Sequence, residues 1–201
     1  PSVGTAEATA KLIGEVLGSS NISKYGTSVV VDNGKIYAAP YDADRVLEIT
    51  PSVGTAEATA KLIGNILTAV RNPKYQTSVV ANGKIYAAPR NANNVLEITP
   101  SQGTAEATAI LLDTNLNLNM DVKYRTSVLA DNGKIYAAPY NAEHVLEIDP
   151  TGNEVTTKLI ICDKLDGDYT TSVLANDKIY AAPHSNNKVL EIDPTGDPDD
   201  T

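Results

Sequence analysis

The sequence predicts an all-β fold made of four copies of one four-stranded unit, and three observations predict it. A block of about fifty residues recurs along the chain, a turn signal sits at a fixed place in each block, and β-branched runs flank that turn. Pro1-Ser-Val-Gly-Thr-Ala-Glu-Ala-Thr-Ala returns at Pro51; NGKIYAAP appears at Asn33, Asn82 and Asn132, with NDKIYAAP at Asn176; VLEI closes each copy at Val46, Val95, Val145 and Val189. The copies span 1–50, 51–99, 100–149 and 150–193, followed by a tail at 194–201, and we read 1–201 as one domain.

Within a copy, Thr27 to Val31 is β-branched and ends at Asp32-Asn33-Gly34, where Asn-Gly offers the positive φ angles of a tight hairpin. The second strand, Lys35 to Ala39, stops at Pro40, which has no N–H to give to a ladder. A polar loop from Tyr41 to Arg45 leads into the third strand, Val46 to Thr50. The fourth element is ambiguous by propensity alone, because Thr5 to Ile13 is alanine-rich and reads as a passable helix. Its counterpart in the last copy, Asn153 to Ile161, is β-branched, and equivalent positions of a repeat share one structure, so the element is a strand. Four short strands per copy, with a hairpin at a constant offset, are the mark of a propeller blade.

Chain order leaves the strand Ala6 to Ile13 ahead of any three-strand unit and leaves the last unit, Thr171 to Asp193, without a fourth strand. The expected closure pairs these two edges and satisfies their backbone donors, because the tail places Pro198 and aspartates where a strand would need apolar residues. Closure within one chain gives a four-bladed ring and a monomer, the favoured reading. Exchange of the first strand between two chains gives a homodimer with an eight-bladed ring, the alternative.

The run NGKIYAAPYNAEHVLEIDPTGNEVTTKLI, Asn132 to Ile160, resembles the YVTN type of propeller repeat: a turn, a strand containing Tyr, a polar loop, an apolar strand ending in Asp, and a Thr-Gly turn. The resemblance covers all four copies as architecture. Kelch blades match in length but carry paired glycines and Trp that this chain lacks. The resemblance implies a fold and no particular activity.

A formal net charge of -9 argues against a phosphate-backbone partner, and no apolar run is long enough to span a bilayer. Cys162 is the single cysteine and reads as a small hydrophobe at a strand end. The match to a glycosylation acceptor at Asn21-Ile22-Ser23 is too short to weigh. His144 and His184 lie in loops at unlike offsets, and no base stands beside a nucleophile in the repeat pattern, so no catalytic set and no enzyme is expected. Asp42, Asp44, Asn141 and Glu143 lack the spacing of a calcium loop, and neither metal nor cofactor is expected. Glu48, Glu97, Glu147 and Glu191 recur in the third strand and read as structural or solvent-facing, paired with Lys11, Lys61 or Lys158. Two tyrosine series, Tyr25, Tyr75, Tyr124 and Tyr169, then Tyr37, Tyr86, Tyr136 and Tyr180, supply the large packing pieces between blades.

The copies differ on one face, in the loops before the first strand and between the second and third. The expected function is therefore a non-catalytic binding module for a protein or glycan, with Tyr41, Arg45, Arg90, Asn94, Tyr140, His144, His184 and Lys188 as ligand-binding residues. The alternative is a structural or assembly scaffold, a fragment of a longer repeat protein.

Overall fold

The computed structural model describes residues 8–14, 17, 23–67, 73–112, 121–162 and 168–196. It is all-β, a propeller-type fold of four antiparallel sheets. Blade 1 holds β1 (Val29–Val30), β2 (Ile36–Ala38), β3 (Val46–Thr50) and β4 (Thr59–Ile63); blade 2 holds β5 (Val79–Ala81), β6 (Lys84–Ala87), β7 (Val95–Thr99) and β8 (Thr108–Leu112). Blade 3 holds β9 (Val128–Leu129), β10 (Ile135–Ala137), β11 (His144–Asp149) and β12 (Thr156–Ile161). Blade 4 has three strands, β13 (Tyr169–Ala175), β14 (Lys178–Pro183) and β15 (Leu190–Ile192). No helix among the described residues is long and apolar enough to cross a membrane.

The alanine-rich segment is a strand in β4 and β8, as its β-branched counterpart is in β12. Tertiary pairing with β3 and β7 overrides a helix propensity that nothing else supports. The hairpins take two forms. In blade 2 Asn82 and Gly83 both have positive φ, 51° and 71°, as a two-residue turn requires. The extra aspartate of blades 1 and 3 makes a three-residue loop instead. There only Gly34 and Gly133 turn left-handed, at 79° and 80°, while the side-chain oxygens of Asn33 and Asn132 accept from the amides of Lys35 and Lys134.

Three core clusters hold the blades together. One joins blades 1 and 2 through Tyr37, Tyr75 and Ile85, one joins blades 2 and 3 through Tyr86, Tyr124 and Ile135, and one joins blades 3 and 4 through Tyr136, Tyr169 and Ile179. Six of the eight tyrosines thus pack between blades as expected, while Tyr25 of blade 1 and Tyr180 of blade 4, at the two outer sides, are only half-buried. Asparagines at the hairpins add a clip to the next blade: Asn33 donates to the Ser101 carbonyl, Asn82 to that of Pro150 and Asn132 to that of Pro194.

The expected closing strand departs from this pattern. Residues 8–13 form no strand, and β15 pairs with β14 alone among the described residues; residues 6 and 7 lie outside them. Lys11 instead reaches Glu57 at 2.7 Å, beside the start of β4. Of the two expected readings of the glutamates, structural or solvent-facing, blades 1 and 2 take the first. Glu48 and Glu97 are buried, because the neighbouring blade covers the sheet face on which Lys, Tyr and Glu line up, and Glu48 takes Lys61 as its cross-strand partner at 3.6 Å.

Candidate functional site

In blades 1 to 3 the chain enters the first strand through Lys-Tyr-x-Thr-Ser-Val, and in blade 4 through Asp-Tyr-Thr-Thr-Ser-Val; every blade leaves the second strand after Ala-Ala-Pro. Backbone bridges join the two passages, Tyr25 to Pro40, Tyr75 to Pro89, Tyr124 to Pro139 and Tyr169 to Pro183. The amide of the residue after each proline donates to the carbonyl preceding the tyrosine: Tyr41 to Lys24, Arg90 to Lys74, Tyr140 to Lys123 and His184 to Asp168, at 2.7–2.9 Å. Lys74 and Lys123 in turn donate their amides to the carbonyls of Tyr41 and Arg90 in the preceding blade. Tyr41 and Arg90 therefore stand on backbone fixed to two blades, while Tyr140 and His184 are fixed to the tyrosine passage of their own blades, with the Tyr169 amide donating to the Pro139 carbonyl next to Tyr140; this is the rigid base that a binding or reacting group requires.

The eight residues singled out in the sequence divide into two sets. Tyr41, Arg90, Tyr140 and His184 occupy the position after proline and meet in pairs. Arg90 donates to the Tyr41 hydroxyl and its guanidinium lies 5.0 Å from that ring, while the Tyr140 and His184 rings are 5.7 Å apart and tilted by 53°. Arg45, Asn94, His144 and Lys188 serve as anchors through their carbonyls, which accept the hydroxyls of Tyr25, Tyr75, Tyr124 and Tyr169 at 3.0–3.3 Å. Burial, helped by Asp44, pushes the Tyr25 hydroxyl up to about 12, and burial pushes Tyr75 and Tyr124 up as well, so these hydroxyls remain donors at neutral pH. The side-chain amide of Asn94 is spent on the Leu112 carbonyl at 2.9 Å.

Two residues that the sequence reading passed over complete the corner between blades 3 and 4. The Arg125 guanidinium lies 3.5 Å from the centre of the Tyr140 ring, a stacked cation–π contact. Asp168 Oδ2 is 4.0 Å from His184 Nδ1. The Nε atoms of Arg90 and Arg125, Gln76 Oε1 and His144 Nδ1 are buried without a hydrogen-bond partner. An unpaired guanidinium N–H is a standing free-energy penalty that a bound acceptor would remove. The signal that finds Arg125 is the variable residue inside the repeated Lys-Tyr-x-Thr-Ser-Val, which is Gly26, Gln76 and Arg125 in turn.

Lys74 and Lys123 are buried beneath this face. The Lys74 ammonium donates to the Ala43 carbonyl at 3.1 Å and lies 3.8 Å from Asp44. Burial pushes the Lys123 ammonium down to about 8 against the opposing charge of Asp121. Among the described residues, no group of three or more His, Cys, Asp or Glu side chains is placed to hold a metal ion. Most of the variable loops before the first strands, including Asn21-Ile22-Ser23 up to Ile22, lie outside the described residues.

The fold and this corner define a propeller-type protein with a polar cluster held on rigid backbone at one face. The chain is similar to virginiamycin B lyase from Staphylococcus aureus, described with quinupristin in a form inactivated by a histidine-to-alanine change: TM-score 0.58 and 16% identity over 87% of this chain and 53% of that one. It is similar to a protein of Bacteroides uniformis provisionally named a 6-phosphogluconolactonase, with TM-score 0.59 and 14% identity over 82% and 48% of the two chains. It is also similar to a luciferin-regenerating enzyme, with TM-score 0.51 and 13% identity over 85% and 61%. No family model and none of the curated proteins matches the chain. The chain spans about half the length of the first of these solved structures.

These neighbours correct the expectation of a non-catalytic binding module or scaffold and of no enzyme. Propellers of this shape are a lyase, a lactonase by its provisional name and a luciferin-regenerating enzyme. His184 follows β14 with its side chain 53% exposed, as expected of a loop histidine; its amide donates to the Asp168 carbonyl, and its Nδ1 stands 4.0 Å from the Asp168 carboxylate.

Proposed function

We propose that this chain is a propeller hydrolase that opens small polar lactones at the corner of blades 3 and 4. The observation that carries the reading is the series Arg125, Tyr140, His184 and Asp168, in which a guanidinium with a buried, unpaired N–H stacks on Tyr140, Tyr140 meets His184, and His184 stands 4.0 Å from a carboxylate. In this reading the His184 imidazole takes a proton from water as its oxygen bonds to the lactone carbonyl carbon, and Asp168 stabilises the imidazolium that forms. Arg125 supports the oxyanion. Collapse breaks the ring C–O bond, and the proton passes from His184 to the departing alkoxide, so that one water is consumed. The lactonase name of one neighbour and the histidine dependence of another support the choice of reaction. The order of turn, tyrosine strand, polar loop and acid-ended strand supports YVTN-type repeats as the family.

The test follows acid release from δ-gluconolactone above the spontaneous rate. His184→Ala and Arg125→Met are each expected to lower kcat/KM by about 10²-fold or more, whereas Tyr41→Phe in the far corner leaves it unchanged. Native protein that does not exceed the spontaneous rate, or a His184→Ala protein as active as native, sinks the reading.

A further inference from the structure

We infer that the first strand-forming segment of this chain, Thr9 to Ile13, completes blade 4 of a second copy, so that two copies close one ring of eight blades. Thr9-Ala10-Lys11-Leu12-Ile13-Gly14 is identical to Thr59-Ala60-Lys61-Leu62-Ile63-Gly64, the run that forms β4. It also takes an equivalent place. A Cβ built on Gly64 would meet the Ala109 side chain of the next blade at 2.7 Å, and one built on Gly14 would meet Ala60 at the same 2.7 Å. Lys61 pairs with Glu106 of the next blade at 2.5 Å, and Lys11 pairs with Glu57 at 2.7 Å. Residues 9–14 therefore sit against blade 1 as the outer strand of a blade standing before it, and the other three strands of that blade are not supplied by the described residues.

The exposures show what this segment lacks. Ile13 is 38% exposed where Ile63 is 6%, and Leu12 is fully exposed. Leu17 is half-buried, whereas its counterpart Leu67 is buried in the core between blades 1 and 2. Among the described residues blade 4 lacks the complement. Val189 is 63% exposed where Val46, Val95 and Val145 are buried under a fourth strand, and Val189 with β15 repeats the Val-Leu-Glu-Ile sequence that pairs with Thr-Ala-Lys-Leu-Ile in blade 1. Carrying the register of β3 and β4 over places Leu12 opposite Leu190 and Lys11 opposite Glu191, as Leu62 lies opposite Leu47 and Lys61 opposite Glu48. Opposite charges and matching apolar residues meet along the whole edge.

A second copy fits better than the chain's own first segment. The three inter-blade cores join 1 to 2, 2 to 3 and 3 to 4, and none joins 4 to 1 among the described residues. The chain also overlays only 53% and 48% of two larger propellers, which gives its four blades the sweep of part of a wider ring. Two such joints related by a two-fold axis close the ring and leave no sheet edge open.

Light scattering on the native chain is expected to give twice 21.2 kDa. A second measurement separates the sources of the strand. In a Cys162→Ser background, chains carrying Lys11→Cys are mixed with chains carrying Glu191→Cys and oxidised; a disulfide-linked heterodimer is expected in high yield, and it is expected to disappear when Leu12→Lys is added to the first chain. A monomer by scattering overturns the inference. So does a chain with both cysteines that closes its disulfide internally, which would return the four-bladed ring, and so does a ladder of higher masses, which would mean that the joint propagates without closing.

Discussion

Blades 1 and 4 carry nearly the same residues and differ in how those residues are held. In blade 1, Glu48 accepts from Tyr37 at 2.7 Å and from Lys35 at 3.1 Å, with Lys61 behind it and Ser101 of the next blade over the Tyr37 hydroxyl. Its side chain is 1% exposed. In blade 4 the same place holds Glu191 with Lys178 at 3.1 Å, but among the described residues no fourth strand and no following blade cover it, and its side chain is 48% exposed. Burial in a repeat protein is thus a property of the neighbour, and identical sequence does not give identical energy.

The comparison breaks first at the tyrosines. Tyr86 is buried between blades 2 and 3, and Tyr180 is only half-buried. Tyr86→Ala is expected to cost about 3–5 kcal/mol in denaturant unfolding of dilute protein, and Tyr180→Ala less than about 2. Equal losses would mean that the outer blade is covered in solution even at low concentration.

Next come the glutamates. Glu48→Gln is expected to cost about 1.5–3 kcal/mol, since hydrogen bonds to a buried charge are lost, and Glu191→Gln less than about 1. The two also separate by pH. Burial pushes the Glu48 carboxyl up, but the Tyr37 hydrogen bond and the charges of Lys35 and Lys61 outweigh it and hold the group below the ordinary 4.5. The unfolded chain then binds this proton at higher pH than the folded chain. The stabilisation is complete above about 4.5 and is lost as pH falls through the lower folded value. Urea midpoints measured from pH 6 down to pH 3 should fall more steeply for native protein than for Glu48→Gln; parallel curves would assign the acid sensitivity to other carboxylates, with Asp149 and Asp193, also held low, the first to examine.

Much of this was legible in the sequence, and the limits are physical. The period, the strands and the packing of the tyrosines at the three joints follow from residues that keep their neighbours wherever a blade stands on each side. The placement of Thr9 to Ile13 does not, because a strand pairs with whichever edge is present and the sequence of the two candidate edges is the same. The burial of Glu48 depends on the blade packed over it, which no residue near Glu48 announces. At the candidate site, Tyr140 and His184 stood out as variable residues in a constant frame. Arg125 stood in an equally constant frame, but its neighbours Tyr124 and Thr126 draw attention as structural positions. Asp168 replaces the lysine found at Lys24, Lys74 and Lys123, a departure that marks blade 4 as the one where a histidine can find a carboxylate.

The smallest difference lies between hydroxyls on the innermost strands. Thr77 bonds Ser127 at 2.9 Å across blades 2 and 3, and Thr126 bonds Ser172 at 2.7 Å across blades 3 and 4. Ser78, at the equivalent place in blade 2, has its hydroxyl buried without a partner. Removing one side of a made bond costs its net worth plus the burial of the hydroxyl left behind, so Thr126→Val is expected to cost about 1 kcal/mol. Removing a hydroxyl that has no partner takes away only a desolvation penalty, so Ser78→Ala is expected to be neutral or to gain up to about 1 kcal/mol. Both changes keep the side chain close to its original volume, so cavity effects do not obscure the result. Paired urea titrations decide it: a Ser78→Ala protein that loses as much as Thr126→Val would show that the Ser78 hydroxyl is bonded in solution, and that the inner rungs are alike at all three joints.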